Sequence, residues 1–118
     1  MEKNVSVVVC TYNGVSSGIE NCLRSLKDLD YPSENLEVVV VDDCSSDDTV
    51  SCVADYQPLF SQRGVNLIQL VNEQNCGLYA SKQRGVNATR SDAEIICVTD
   101  DDCEVYPDWV NNLMPPYE

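Results

Sequence analysis

The chain has 118 residues, 43% of them hydrophobic and 23% charged, which suits one ordered globular domain and excludes both a disordered segment and a protein with two cores. A net charge of −13 and a pI near 4.1 set most of the surface against a phosphodiester backbone, so no nucleic-acid partner is expected. Seven cysteines without a CxxC pair, and no histidine, exclude the common zinc sites and read as reduced thiols that pack as small hydrophobes.

Val5 to Cys10 is a β-branched run that stops at the turn formers Thr11-Tyr12-Asn13-Gly14, and it predicts the first strand. Ile19, Cys22, Leu23, Leu26 and Leu29 then recur at helical spacing until Tyr31-Pro32 ends the pattern. Leu36 to Val41 is apolar apart from Glu37, the signature of a strand covered on both faces in a parallel sheet, and it ends at Asp42-Asp43. Ser45 and Ser46, followed by Asp47 and Asp48, predict a helix N-terminus with hydroxyl caps and first-turn carboxylates; Val50, Val53 and Ala54 predict its buried side. Val65 to Val71 predicts a third strand, residues 72–77 a loop, and Leu78 to about Ala88 a weakly amphipathic helix with Gly85 inside it. Glu94 to Thr99 predicts a fourth strand ending at Asp100-Asp101-Asp102, and Pro107 opens a short helix carrying Trp109, Val110 and Leu113. This βαβαβαβα alternation predicts the α/β class, with a doubly wound, mostly parallel sheet and helices on both faces.

In open sheets of this type the ligand crevice lies outside the carboxyl ends of the strands. The predicted strand exits carry Thr11-Tyr12-Asn13, Asp42-Asp43 and Asp100-Asp101-Asp102, so five carboxylates converge on one edge. Like charges this close either raise their own pKa values or bind a cation. All-oxygen ligands point to Mg²⁺ or Mn²⁺, which usually share their shell with substrate phosphates, and a diphosphate ligand follows. Neither a GxxxxGK[ST] nor a GxGxxG loop is present to cradle phosphate. Metal and basic side chains must replace that cradle, and Lys82, Arg84 and Arg90 form the one basic stretch. Tyr12 offers a ring to stack on a base. Taken singly, each feature has an ordinary reading: aspartates after strands act as turn and cap residues, and Lys82 and Arg84 sit on a solvated helix face. Their combination favours the site.

The strings VSVVVCTYNG at 5–14, EVVVVDDCSSDDT at 37–49, NCGLYASKQRG at 75–85 and VTDDDCEVYPDW at 98–109 resemble, in this order, the N-terminal half of family 2 glycosyltransferases with the GT-A fold, a Rossmann-like nucleotide-diphospho-sugar transferase fold. The resemblance covers essentially the whole chain. It implies that Thr11, Tyr12 and Asn13 border the nucleoside, that Asp43, alone or with Asp42, hydrogen-bonds a base that is usually uracil, and that Asp100-Asp101-Asp102 is the family's DxD motif. In that motif the last aspartate, Asp102, binds the metal, while the earlier Asp100 and Asp101 contact ribose or the metal shell. Gly77 matches a glycine of the loop that approaches the nucleotide. Lys82, with Arg84 near it, stands close to the diphosphate where the family commonly has arginine, which keeps the charge and loses the planar fork. Gln83 replaces a common asparagine, and Ser91-Asp92 a turn glycine.

By the resemblance, residues 1–118 are a single nucleotide-sugar-binding domain, truncated with respect to the family. The catalytic base and the acceptor site are expected downstream of Glu118. An intact parent would transfer a glycosyl group with inversion from a UDP-type donor to an acceptor hydroxyl that the sequence leaves unidentified, while this chain alone would be weak or inactive. Mn²⁺ or Mg²⁺ is the expected cofactor. Two other classes compete: a non-catalytic module whose acidic edge binds a cation or a protein, and a phosphotransfer domain with a nucleophilic aspartate. No apolar run approaches the ~20 residues that span a bilayer and no leader pattern opens the chain. A cytoplasmic location is therefore expected, with any membrane association arising from a region beyond Glu118.

Overall fold

The computed structural model describes residues 2–113. Four strands, β1 (Val5–Thr11), β2 (Leu36–Asp42), β3 (Asn66–Val71) and β4 (Ile95–Asp100), alternate with four helices, α1 (Ile19–Lys27), α2 (Thr49–Arg63), α3 (Leu78–Asn87) and α4 (Trp109–Leu113). The sheet order is β3-β2-β1-β4 and every pair is parallel. The chain thus winds outward from β1 to β3 and then crosses to the far side of β1. That reversal opens a crevice at the carboxyl ends of the central strands.

The register places Val5, Val7 and Val9 of β1 beside Leu36, Val38 and Val40 of β2. Together with Ile19, Leu23 and Leu26 of α1 and Val53 and Phe60 of α2, they form the main core, and Val110 of α4 joins it. Because strand side chains alternate, Val8, Cys10, Val39 and Val41 face the opposite side and form a second cluster with Val86 of α3. The valine-rich β1 and β2 are buried along their whole length, as strands covered on both faces must be. Coverage stops at β4. Its Cys97 is buried, but Ile96 and Val98, on the side where α3 packs over β1 and β2, remain 39% and 43% exposed.

Several local expectations are corrected. β1 and β4 each run one residue further, because Thr11 pairs with Asp42 and Asp100 with Cys10. Helix α2 starts at Thr49, and Ser45 and Ser46 are not its caps. Instead the Asp47 carboxylate accepts from the backbone N–H of Thr49 at 3.0 Å and from its hydroxyl, the work of a capping side chain one position earlier. Ala54 is exposed; the buried side of α2 runs through Thr49, Val53, Tyr56 and Phe60. Among the described residues no helix is long and apolar enough to cross a membrane.

Candidate functional site: a cleft at the strand exits

The carboxyl ends of β1, β2 and β4 border a cleft of about 400 Å³. Cys10, Thr11 and Tyr12 line it from β1, Asp43 from the end of β2, Leu78 and Ser81 from α3, and Asp100, Asp101 and Asp102 from β4. Asp43 and Asp102 therefore face the same space, as a shared ligand requires. Tyr12 is half-exposed at the rim, with its ring open to a planar partner.

The aspartates that the sequence presented as a row have separate environments. Asp42 is fully buried, and its carboxylate accepts from the backbone N–H and the hydroxyl of Ser45, each at 2.7 Å. It locks the turn after β2 and does not line the cleft, which corrects its placement at the base. Asp43 points into the cleft. Its Oδ1 accepts from the Cys76 N–H at 2.7 Å and from Asn72 Nδ2 at 2.9 Å, and its Oδ2 accepts from the Gly77 N–H at 3.0 Å. Desolvation pushes its pKa up, but these bonds, with a further contribution from the Ser81 hydroxyl, outweigh that and hold it below the usual aspartate value.

Asp101 turns inward, where its Oδ2 accepts from the hydroxyl of the buried Thr11 at 2.7 Å. Burial, opposed by this bond and reinforced by the charges of Asp102 and Asp100, pushes its pKa up. Asp100 and Asp102 are exposed, and one ligand atom from each lies within 4.8 Å of the other and of the Cys103 thiol. Oxygen donors in that spacing fit a six-coordinate Mn²⁺ or Mg²⁺, with Asp100 and Asp102 as the residues that would hold it. Cys103 escaped the sequence reading because a lone thiol beside aspartates carries no spacing signature.

The model of the glycosyl transferase family 2 matches residues 6–118. This chain belongs to that family. Among curated relatives it is similar to the glycosyltransferase AglE of Haloferax volcanii, 29% identical over 90% of this chain and 33% of that protein. It is also similar to the poly(ribitol-phosphate) β-N-acetylglucosaminyltransferase TarS of Staphylococcus aureus, 36% identical over 90% of this chain and 16% of that protein. Residues 1–349 of TarS, solved in complex with UDP-GlcNAc, superpose with a TM-score of 0.80 at 30% identity, covering 94% of this chain and 30% of that one. A mannosyltransferase of Pyrobaculum calidifontis, solved with GDP-Man and Mn²⁺, superposes with a TM-score of 0.82 at 29% identity over 98% of this chain and 34% of that one. The sheet and its flanking helices match these GT-A transferases, and the chain spans a third or less of the curated relatives named here.

The remaining candidates of this glycosyltransferase-like domain divide into cleft residues and residues placed elsewhere. Asn13, held at φ 50°, receives the Ser46 N–H on its side-chain oxygen at 2.8 Å and donates its own N–H to Ser45 Oγ at 2.8 Å. It ties the β1 turn to the β2 turn and does not line the cleft. Gly77 adopts φ 90°, ψ 165°, a conformation that L side chains rarely tolerate, and this aims its N–H at Asp43. Lys82 lies close enough for its charge to act on Cys10, which lines the cleft, though Lys82 is not itself part of the lining. Arg84 does not join it, since its guanidinium donates to Asn72 Oδ1 at 2.6 Å from a separate hollow beside Glu73 and Gln74. Arg90 is further away still, paired with Asp92 at 2.5 Å and bonded to the Glu34 carbonyl near the start of β2. The basic stretch therefore does not act as one patch: Lys82 and Arg84 diverge around the axis of α3, and Arg90 lies beyond the helix end.

Asn72 and Ser81 were missed. Both are buried, and Asn72 bonds to Asp43, Ser81 and Arg84 at once. The available signal was position: Asn72 follows the apolar run of β3, as Asp42 closes that of β2. Cys10 on the cleft wall and Cys22 in the main core are packed thiols. Burial pushes Cys10 up to about 11 and Cys22 up to about 12.

Asp43 gives the domain a predictable acid response. A carboxylate whose folded pKa lies below its unfolded value near ~3.9 stabilises the fold above that pH, and the contribution is lost as pH falls through the folded value. Asp43→Asn is expected to be less stable at pH 7 and to show a shallower loss below about pH 4, followed by thermal unfolding. A variant that unfolds with the same acid profile as the parent would contradict this account. Asp101 has the opposite sign: ionising it costs stability at neutral pH, and that cost disappears as pH falls through its raised folded pKa.

Proposed function

We propose that residues 1–118 form the donor-binding domain of a glycosyltransferase, which holds a UDP-type sugar through a divalent cation on Asp102 and Asp100 for inverting transfer to an acceptor hydroxyl. The observation that carries the reading is the shared cleft, with Asp43 on one side and Asp100 and Asp102 on the other. In this assignment Thr11 and Tyr12 border the nucleoside, Asp43 receives the base, Gly77 shapes the loop beside it, and Lys82 faces the diphosphate. When bound, the cation neutralises the diphosphate as it departs. The base that deprotonates the acceptor is assigned to a part of the parent protein outside these residues, so the domain alone is weak or inactive in transfer. We also assign it to the cytoplasm.

The bonds already made by Asp43 favour uracil over guanine. A carboxylate oxygen accepts about two hydrogen bonds; Oδ1 has two, Oδ2 has one from Gly77, and the Ser81 hydroxyl contributes a further one to the carboxylate. Little acceptor capacity is left, which suits the single ring N–H of uracil. Guanine presents an N–H and an adjacent amino group, and one of them would be desolvated without a partner. The Cys103 thiol beside the carboxylates suits Mn²⁺ better than the harder Mg²⁺.

Calorimetry tests this directly. UDP is expected to bind with Mn²⁺ present, to bind far more weakly in EDTA, and to bind more tightly than GDP. A folded sample that binds no UDP with or without metal would overturn the nucleotide reading, and GDP binding as tightly as UDP would overturn the choice of base. Stabilisation by Mn²⁺ with no response to any nucleotide would instead favour a cation-binding module.

A further inference from the structure

We infer that Arg84 and Asn72 are positioning residues for base recognition: Arg84 holds the Asn72 amide in the one orientation that presents its NH₂ group to Asp43, and so decides which acceptor Asp43 keeps for the base. The inference rests on the uridine reading above. Asn72 is 6% exposed at the exit of β3, and its Oδ1 accepts from Arg84 Nη1 at 2.6 Å. A guanidinium has donors and no acceptor, so turning the amide round would set NH₂ against N–H. With Oδ1 committed, Nδ2 donates to Asp43 Oδ1 at 2.9 Å and to Ser81 Oγ at 3.0 Å. The Asn72 N–H also donates to the Asp42 carbonyl at 2.8 Å, so the main chain holds the side chain at its working distance.

The consequence falls on Asp43. Its Oδ1 carries the bonds from Asn72 and Cys76, so Oδ2, with the single bond from Gly77, is the less occupied oxygen and the one turned to the base. Without Arg84, the amide is free to turn its carbonyl oxygen toward the carboxylate. Two acceptors then face each other, and Asp43 loses the bond that fixes its rotation. Arg84 acts at one remove, since its guanidinium lies in the hollow behind the β3 exit and outside the nucleotide cleft.

The test uses UMP without divalent metal, which addresses the base pocket independently of the cation. CMP is the counterpart, carrying a ring acceptor where uracil carries its N–H. Arg84→Met keeps most of the alkyl stem and removes the donors; it is expected to lower UMP affinity and the UMP-to-CMP preference each by about fivefold. Mn²⁺ affinity measured alone should stay at the parent value. Asn72→Ala should lose the preference in the same way, and Arg84→Lys, which retains one cationic donor, should recover part of it. An unchanged UMP-to-CMP ratio in folded Arg84→Met and Asn72→Ala proteins overturns the inference. Equal losses for UMP and CMP also overturn it, by assigning the pair a general structural role. If the parent protein binds no UMP, the uridine reading fails on its own. The positioning claim is then judged from the Asp43 side-chain carboxyl resonance, which must shift in Arg84→Met; a resonance that stays in place sinks it.

Discussion

Replacing Asp102 with alanine is expected to lower the metal-dependent affinity for UDP on the order of 100-fold or more, while the protein stays folded. The carboxylates of Asp100 and Asp102 stand together at the open end of β4, with one ligand atom of each inside a 4.8 Å cluster. Removing one leaves a monodentate site that cannot compete with water for a hard divalent ion. The stability effect should run the other way. Asp102 is among the charges that raise the pKa of Asp101, so its loss relieves repulsion and should raise the melting temperature slightly in EDTA. Calorimetry of UDP with and without Mn²⁺, beside thermal unfolding in EDTA, reads both effects. Retained Mn²⁺-dependent binding in Asp102→Ala would remove this residue from the metal site. Asp102→Asn, which keeps one oxygen donor, should lie between the two.

The largest loss of stability is expected from Gly85→Ala. In an exposed helix interior this change gains up to about 1 kcal/mol, because glycine is a poor helix former. Here a Cβ would lie 2.5 Å from Val8 Cγ1 and 3.1 Å from Val41 Cγ2. Both valines are fully buried in the second cluster, so neither has space to retreat and α3 must lift away from the sheet. Overpacking of this kind costs roughly 1–3 kcal/mol, a large fraction of the ~5–15 kcal/mol that stabilises a domain. Because α3 also carries Ser81 and Lys82, the same displacement should weaken UDP binding. A lower urea midpoint with an unchanged slope reports the first effect. A midpoint equal to or above the parent's would show that the helix and sheet are less closely packed than the valine contacts indicate.

Much of this molecule was legible before any coordinates. The β-branched runs at Val5 to Cys10 and Leu36 to Val41 could only be strands, and their lack of polar alternation required cover on both faces, as Val8 and Val39 on one side and Val7 and Val38 on the other now show. The helical spacing of Ile19, Cys22, Leu23 and Leu26 matches the buried face of α1. Errors arose where one residue type serves two roles. Ser45 and Ser46 have good capping chemistry, but Ser45 is drawn to the buried Asp42, and Asp47, one position before the N-cap, accepts from the first N–H of the helix instead. Lys82, Arg84 and Arg90 looked like one basic patch because they are close in sequence. The end of α3 carries Arg90 toward the start of β2, and the hydrogen bond to Asn72 turns Arg84 into another hollow.

What the sequence determined by itself was the set of elements, their parallel α/β arrangement and the edge at which ligand chemistry would gather, since hydrophobic periodicity and strand-exit polarity are local properties. Which aspartate does what was decided by tertiary structure alone. Asp42 and Asp43 are adjacent and chemically identical, yet the pleat buries the first against Ser45 and turns the second into the cleft, where backbone N–H groups from a loop more than thirty residues away meet it. The same holds at β4, where Asp101 is captured by Thr11 and its two neighbours are left open. A carboxylate's role is set by the donors and charges that reach it, and those come from chain segments whose proximity exists only in the folded protein.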